Sequence, residues 1–213
     1  MKLYGYFRSS ATWRVRVVLN LKAIPHEYQP VHLVKEGGVQ NSDWYRGLNP
    51  MRSVPLLEWE EEGQVRRLAQ SLPIIEFLEE RFPDRPILPQ DPYLKAQARM
   101  VAEMINSGIQ PLQNLSVLKH LKAELKADEQ AWARHWIDRG LTAVEAVLTG
   151  TAGRYAVGDQ VSLADACLIP QLFNARRFGV DVSRFPTALR VEQACEALPA
   201  FDAAQPSKQP DAE

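Results

Sequence analysis

Four prolines fall within the ten residues Pro83-Asp84-Arg85-Pro86-Ile87-Leu88-Pro89-Gln90-Asp91-Pro92. Each fixes φ and removes a backbone donor, so no helix or sheet strand runs through this stretch. It divides a chain of 213 residues, long enough for two small domains. The sequence predicts a first domain over residues 1–82, a linker over 83–92 and a second domain over 93–213.

Before the prolines, strand and helix signals alternate. Lys2 to Phe7 is short and partly aromatic, as a strand is. Thr12 to Ala23 spaces Val15, Val18, Leu19 and Leu21 among basic residues, as an amphipathic helix does. Glu27 to Leu33 reads as a second strand, and Gly37-Gly38 and Asn49-Pro50 mark a loop region. Pro55 to Trp59 and Val65 to Leu68 flank a turn at Glu60-Glu61-Glu62-Gly63, and Ser71 opens a helix with Pro73 in its first turn. The order βαβ, loop, ββα is that of a thioredoxin-like α/β domain. After the prolines the pattern is all-α: Lys95 to Met104, Pro111 to Leu125, Gln130 to Leu148, Ser162 to Arg177 and Pro186 to Leu198 are helical in period. The polar tail from Gln205 to Glu213 reads as loosely held.

Net charge is −1, which argues against a nucleic-acid partner, and no apolar run approaches the length a bilayer requires. The start, Met1 to Tyr6, is too short and polar for a signal peptide, so the sequence reads as cytoplasmic. The two cysteines, Cys167 and Cys195, form no CxxC pair. The four histidines lack ligand spacing, so no metal is expected.

Six segments stand out. Arg8-Ser9-Ser10-Ala11-Thr12-Trp13-Arg14 lies between the first strand and helix. Its serines either cap the helix or act in an anion site, where a hydroxyl donated to a bound thiolate lowers the thiol's pKa. Ala11 offers no sulfur, so a thiol there comes from a ligand. Val54-Pro55 either opens an edge strand or is a cis-proline that turns the Val54 backbone toward an extended peptide. Gln70-Ser71 caps a helix or holds a second anionic end. Gly108 to Ser116 is a kinked helix or a polar face turned to a cleft. In Asn174-Ala175-Arg176-Arg177-Phe178 the arginines complement a helix dipole or clamp carboxylates, as Arg8 does in the first segment. Ser162-Leu163-Ala164-Asp165 is a capping box and belongs to folding.

These residues together resemble the zeta class of glutathione transferases, the maleylacetoacetate isomerases. The resemblance is carried by Phe7 to Arg16, Leu48 to Met51, Val54-Pro55, Gln70-Ser71, Gly108 to Ser116, Val157 to Asp159, Ala164-Asp165, Pro170-Gln171 and Asn174 to Phe178, in order along the chain. Members of the class carry a cysteine after the two serines, where this chain has Ala11. The resemblance implies a glutathione transferase fold, usually homodimeric. It also implies glutathione as cofactor, with maleylacetoacetate converted to fumarylacetoacetate in aromatic amino-acid catabolism. Ser9 and Ser10 would be catalytic and face the glutathione sulfur. Gln40, Val54, Pro55, Gln70 and Ser71 would hold the peptide, joined by Gln110, Asn114, Leu115 and Ser116. Arg8, Arg176 and Arg177 would take the carboxylates of an unsaturated diacid. Maleylpyruvate isomerisation, conjugation of small electrophiles such as α-haloacids, and a non-catalytic glutathione-binding scaffold remain as other readings.

Overall fold

The computed structural model describes residues 1–213, the side chain of Glu36 excepted. The chain divides into two compact units, 1–86 with 198–213, and 87–197.

The first unit is built on four strands, β1 (Lys2–Gly5), β2 (Glu27–Pro30), β3 (Leu56–Glu61) and β4 (Gln64–Ala69), in the order β2-β1-β3-β4. β1 and β2 are parallel, with Leu3 opposite Tyr28, and such a pair needs a crossover. Helix α1 (Ser10–Leu21) supplies it. β3 runs antiparallel to β1, with Leu3 opposite Leu57, and β4 antiparallel to β3. The β3–β4 turn places Glu62 and Gly63 at φ 52° and 72°, the sense of twist that a two-residue hairpin requires. Gly5 lets α1 close on the sheet: a Cβ there would stand 2.3 Å from Thr12 Cγ2 and 2.9 Å from the Tyr28 ring. Helix α3 (Ser71–Arg81) packs on α1, and Lys22 beyond the end of α1 donates to the carbonyls of Phe82 and Arg85 at 2.8 and 3.0 Å. Tyr4, Tyr6, Phe7, Val31, Tyr45, Val54 and Leu56 form one apolar cluster of this unit.

Two short helices, α2 (Asp43–Leu48) and α9 (Pro199–Ala204), escape the sequence reading, which gives a loop region to the first and no element to the second. The sequence also assigns everything after residue 92 to one helical domain, whereas residues 198–213 belong to the first unit. The reason is packing: α9 lies against α1, and Arg16 of α1 donates Nε and Nη2 to the Ala204 carbonyl at 3.1 and 3.0 Å. Nor is the tail loose, since Asp211 accepts from the Phe7 N–H at 3.0 Å and Glu213 pairs with His32 at 2.9 Å.

The second unit consists of α4 (Pro92–Asn106), α5 (Leu115–Ala123), α6 (Glu129–Thr151), α7 (Leu163–Arg177) and α8 (Pro186–Glu196). Asp91 caps α4, with Pro92 at its first helical position, where the missing N–H costs nothing. Helix α7 is the centre: α4, α6 and α8 all pack on it, and its residues from Leu163 to Leu172 are all buried. The linker splits between the units, because Ile87 and Leu88 are buried and the Ile87 carbonyl accepts from the Leu163 N–H at 2.9 Å. The helix expected over Pro111 to Leu125 is broken. Gln110–Gln113 is a 3-10 turn, and extended Asn114 caps a new helix with its side chain.

Candidate functional site

The first unit gathers most of the sequence-predicted residues at two helix starts and the loops beside them. Ser9 is the N-cap of α1, and its Oγ accepts from the Thr12 N–H at 3.2 Å. An accepting hydroxyl keeps its own proton to donate elsewhere. The N–H groups of Ser10 and Ala11 precede the first intrahelical bond, so this end of α1 is an anion site by construction. Ser10 itself is buried.

Ser71 opens α3, after Gln70 at φ 75°. Ser71 is buried, and its Oγ accepts from Arg14 Nη1 at 3.2 Å. Gln70 is exposed and gives α3 no side-chain cap. Arg14 therefore ties the start of α3 to α1, a role the sequence reading misses. The signal was present: a basic residue inside the apolar run Trp13 to Val18, at a position wholly buried in the fold.

Val54–Pro55 is cis. Among the described residues, the Val54 N–H and C=O make no backbone hydrogen bond. Gln40 is buried; its Nε2 donates to the Leu33 carbonyl at 3.2 Å and its Oε1 is buried with no partner. Arg8 donates Nη2 to the Tyr6 hydroxyl at 3.2 Å, and its guanidinium lies 5.4 Å from the centre of the Phe7 ring.

In the second unit the predicted residues divide by role. Asn114 Oδ1 accepts from the Ser116 N–H and hydroxyl at 3.0 and 2.9 Å, so this pair caps α5, with Leu115 the first helical residue between them. Gln110 opens the 3-10 turn, which a reciprocal amide pair between buried Gln113 and Gln171, at 2.7 and 3.3 Å, ties to α7. Trp132 Nε1 adds a bond to the Leu112 carbonyl at 2.9 Å. Arg176 and Arg177 end α7 side by side but differ. Arg176 is held bidentately by Glu192 at 2.6 and 2.5 Å, and that hydrogen bond and charge raise its pKa. The Arg177 guanidinium lies 5.0 Å from the centre of the Phe178 ring.

Asp165 completes the capping box of α7, accepting from the Ser162 N–H and hydroxyl at 2.7 and 3.0 Å and from the Ala156 N–H at 2.8 Å. Burial lifts its pKa to about 6 despite those three donors. The cysteines, Cys167 and Cys195, are buried and unbridged. Burial beside Asp165 pushes the Cys195 thiol up, which makes it a poor nucleophile. No group of three or more His, Cys, Asp or Glu among the described residues is placed to hold a metal, and no described helix is long and apolar enough to cross a membrane.

Residues 8–81 match the family model of the glutathione S-transferase N-terminal domain, and residues 108–200 that of the C-terminal domain. The chain is 51% identical over 209 residues to probable maleylacetoacetate isomerase 2 of Drosophila melanogaster, covering 98% of this chain and 89% of that one. It is similar to a crystal structure of maleylacetoacetate isomerase from Anaeromyxobacter dehalogenans 2CP-1 with bound GSH in the active site, with a TM-score of 0.92 and 47% identity over 100% of this chain and 97% of that one. A holo structure of maleylpyruvate isomerase, a bacterial zeta-class glutathione S-transferase, matches with a TM-score of 0.92 and 40% identity over the whole of both chains.

Proposed function

This chain belongs to the glutathione S-transferase family, in the zeta class of the maleylacetoacetate isomerases, and on that premise we propose that it converts maleylacetoacetate to fumarylacetoacetate with glutathione as a recycled cofactor. The observation that carries the reading is the start of α1. Ser9 caps it with a hydroxyl whose proton is still available, next to the N–H groups of Ser10 and Ala11.

The residues present fit glutathione. The orphaned Oε1 of buried Gln40 is an acceptor for an ammonium or amide N–H. The backbone of Val54 has the donor and acceptor that an extended peptide pairs with. The first turn of α3, at Gln70 and Ser71, suits a carboxylate. When bound, glutathione would supply a nucleophilic thiolate for reversible addition to the conjugated cis double bond.

The chain's own residues do the rest. Ser9 donates to the sulfur and favours its charged form, and the dipole of α1 acts in the same sense. Arg8 and Arg177 are planar donors suited to the two carboxylates of the diacid. Arg176 is spent on Glu192, and we leave it out of the substrate set. Asn114, Leu115 and Ser116 act by fixing the start of α5, and Gln110 by its place in the turn before it. Neither Cys167 nor Cys195 takes part, since both are buried.

The match to a maleylpyruvate isomerase favours that acid as a second substrate, because the reacting group is the same. A homodimer and a cytoplasmic location belong to the proposal. Support for the first is the exposure of Trp44 and Met51 in one unit and of Tyr93, Leu94 and Met100 in the other; support for the second is the unbridged pair Cys167 and Cys195. Light scattering tests the dimer, and cell fractionation the location.

The deciding experiment follows the ultraviolet absorbance of maleylacetoacetate and of maleylpyruvate with purified protein, with and without catalytic glutathione. Isomerisation that needs glutathione, leaves the thiol unconsumed and is lost in Ser9→Ala supports the reading. Glutathione binding without isomerisation of either acid overturns it in favour of conjugating small electrophiles such as α-haloacids. Failure to bind glutathione overturns it in favour of a non-catalytic protein that keeps the fold alone.

A further inference from the structure

Four residues, Tyr6 to Ser9, join β1 to α1, and their bonding reaches the far end of the chain. The Phe7 N–H donates to Asp211 Oδ2 at 3.0 Å. The Phe7 carbonyl accepts from Arg16 Nη2 at 2.9 Å, and the same guanidinium holds the Ala204 carbonyl. The Tyr28 hydroxyl donates to the same Asp211 oxygen at 3.4 Å, and the Arg16 guanidinium lies over the Tyr28 ring, 5.9 Å from its centre. Two residues on, Glu213 pairs with His32 and Lys35, near the start of the loop that leads to Gln40. Ser9 itself donates its N–H to the Tyr6 carbonyl at 3.0 Å. Both backbone polar groups of Phe7, two positions before Ser9, are thus gripped by the carboxy-terminal segment or by a side chain that also grips it. Arg16 and Phe7 are both buried, so water does not readily replace these bonds.

We propose that residues 198–213 form a strap that sets the place of the Ser9 hydroxyl, with Asp211 as a positioning residue acting through the Phe7 peptide. A hydroxyl stabilises a thiolate only at hydrogen-bond distance and angle, so a shift of the short Tyr6–Ser9 connection weakens that donation. Asp211 does not touch the ligand; its effect is carried by the backbone. The charge balance supports the arrangement. Burial draws the Arg16 guanidinium down to about 10, and Asp211 and Tyr28 oppose that fall.

The inference rests on the reading of Ser9 as donor to the glutathione sulfur, and the test separates the two. The pKa of the bound thiol is read from thiolate absorbance in the full-length protein, beside hydrogen exchange of the Phe7 amide and thermal unfolding. In Asp211→Ala the bound thiol pKa is expected to rise by about half a unit or more, with Phe7 exchange about 10-fold faster. Asp211→Asn keeps an acceptor oxygen and is expected to restore most of the shift. A Phe7 amide that exchanges faster while the thiol pKa stays at the wild-type value overturns the strap and leaves Ser9 standing. An unchanged thiol pKa in Ser9→Ala overturns the reading of Ser9 instead. Should Asp211→Ala not fold, Asp211→Ser, which also withdraws the carboxylate, is judged by the same shift.

Discussion

Arg14 Nη1 donates to Ser71 Oγ at 3.2 Å, so one buried guanidinium ties the second turn of α1 to the start of α3. These are the two helices whose starts the proposal assigns to the sulfur and to a carboxylate of glutathione. Removing the acceptor leaves a buried charged donor short of one bond. Ser71→Ala is therefore expected to lower the unfolding free energy by about 1–2 kcal/mol, measured by urea denaturation. Glutathione affinity should fall several-fold in a titration. A variant with unchanged stability and affinity would deny the hydroxyl both roles.

Ser9 carries two functions that substitution separates. As N-cap it satisfies the Thr12 N–H, and its loss costs about 1 kcal/mol of stability. As donor to the thiolate it should matter far more to rate: Ser9→Ala is expected to lower turnover at neutral pH by about 100-fold. Ser9→Thr restores the hydroxyl and should recover much of both. A loss of stability without loss of rate would confine Ser9 to capping.

How much of this was legible depended on the range of the contacts. The prolines from Pro83 to Pro92, the hairpin turn at Gly63 and the Ser162–Asp165 capping box are local, and their chemistry is written within a few residues. The helix starts at Ser9 and Ser71 belong with these, whereas the sequence around Pro55 suits an edge strand as well as the cis bond that is there. Helices α2 and α9, of six residues each, are too short to show a period. Asn114 falls within the helical spacing of Pro111 to Leu125, yet its side chain serves as a cap. The bonds from Arg14 to Ser71 and from Phe7 to Asp211 join residues 57 and 204 positions apart, which no local pattern reveals. The pairing of Arg176 with Glu192, one turn-end against another helix, escaped for the same reason.

The two neighbouring arginines of α7 make opposite predictions. Arg176 is committed to Glu192, whose carboxylate is largely buried, while Arg176 itself is partly exposed and screened. Arg176→Ala should therefore lower the unfolding free energy by about 1 kcal/mol and leave the KM for the diacid within about 2-fold. Arg177→Ala is expected instead to raise KM about 10-fold or more. Steady-state kinetics and urea denaturation on both variants decide the assignment. Equal KM effects would return Arg176 to the substrate set.

Asp165 sets a pH dependence unrelated to catalysis. Its carboxyl is raised from 3.8 to about 6, with burial outweighing the Ser162 and Ala156 donors. The folded protein thus holds this proton more tightly than the unfolded chain does. Its contribution to stability is full below about pH 4 and is lost as pH rises through about 6, a change of up to about 3 kcal/mol. Asp165→Asn does not titrate. Carboxylates shifted the other way, Asp128, Glu129, Asp181 and Glu213, are common to both proteins and cancel in the comparison. The stability lead of wild type over Asp165→Asn should accordingly be larger at about pH 4.5 than at about pH 7, measured by urea denaturation across that range. A lead that does not vary with pH would mean the buried carboxyl keeps its ordinary pKa, with the three donors balancing the cost of burial.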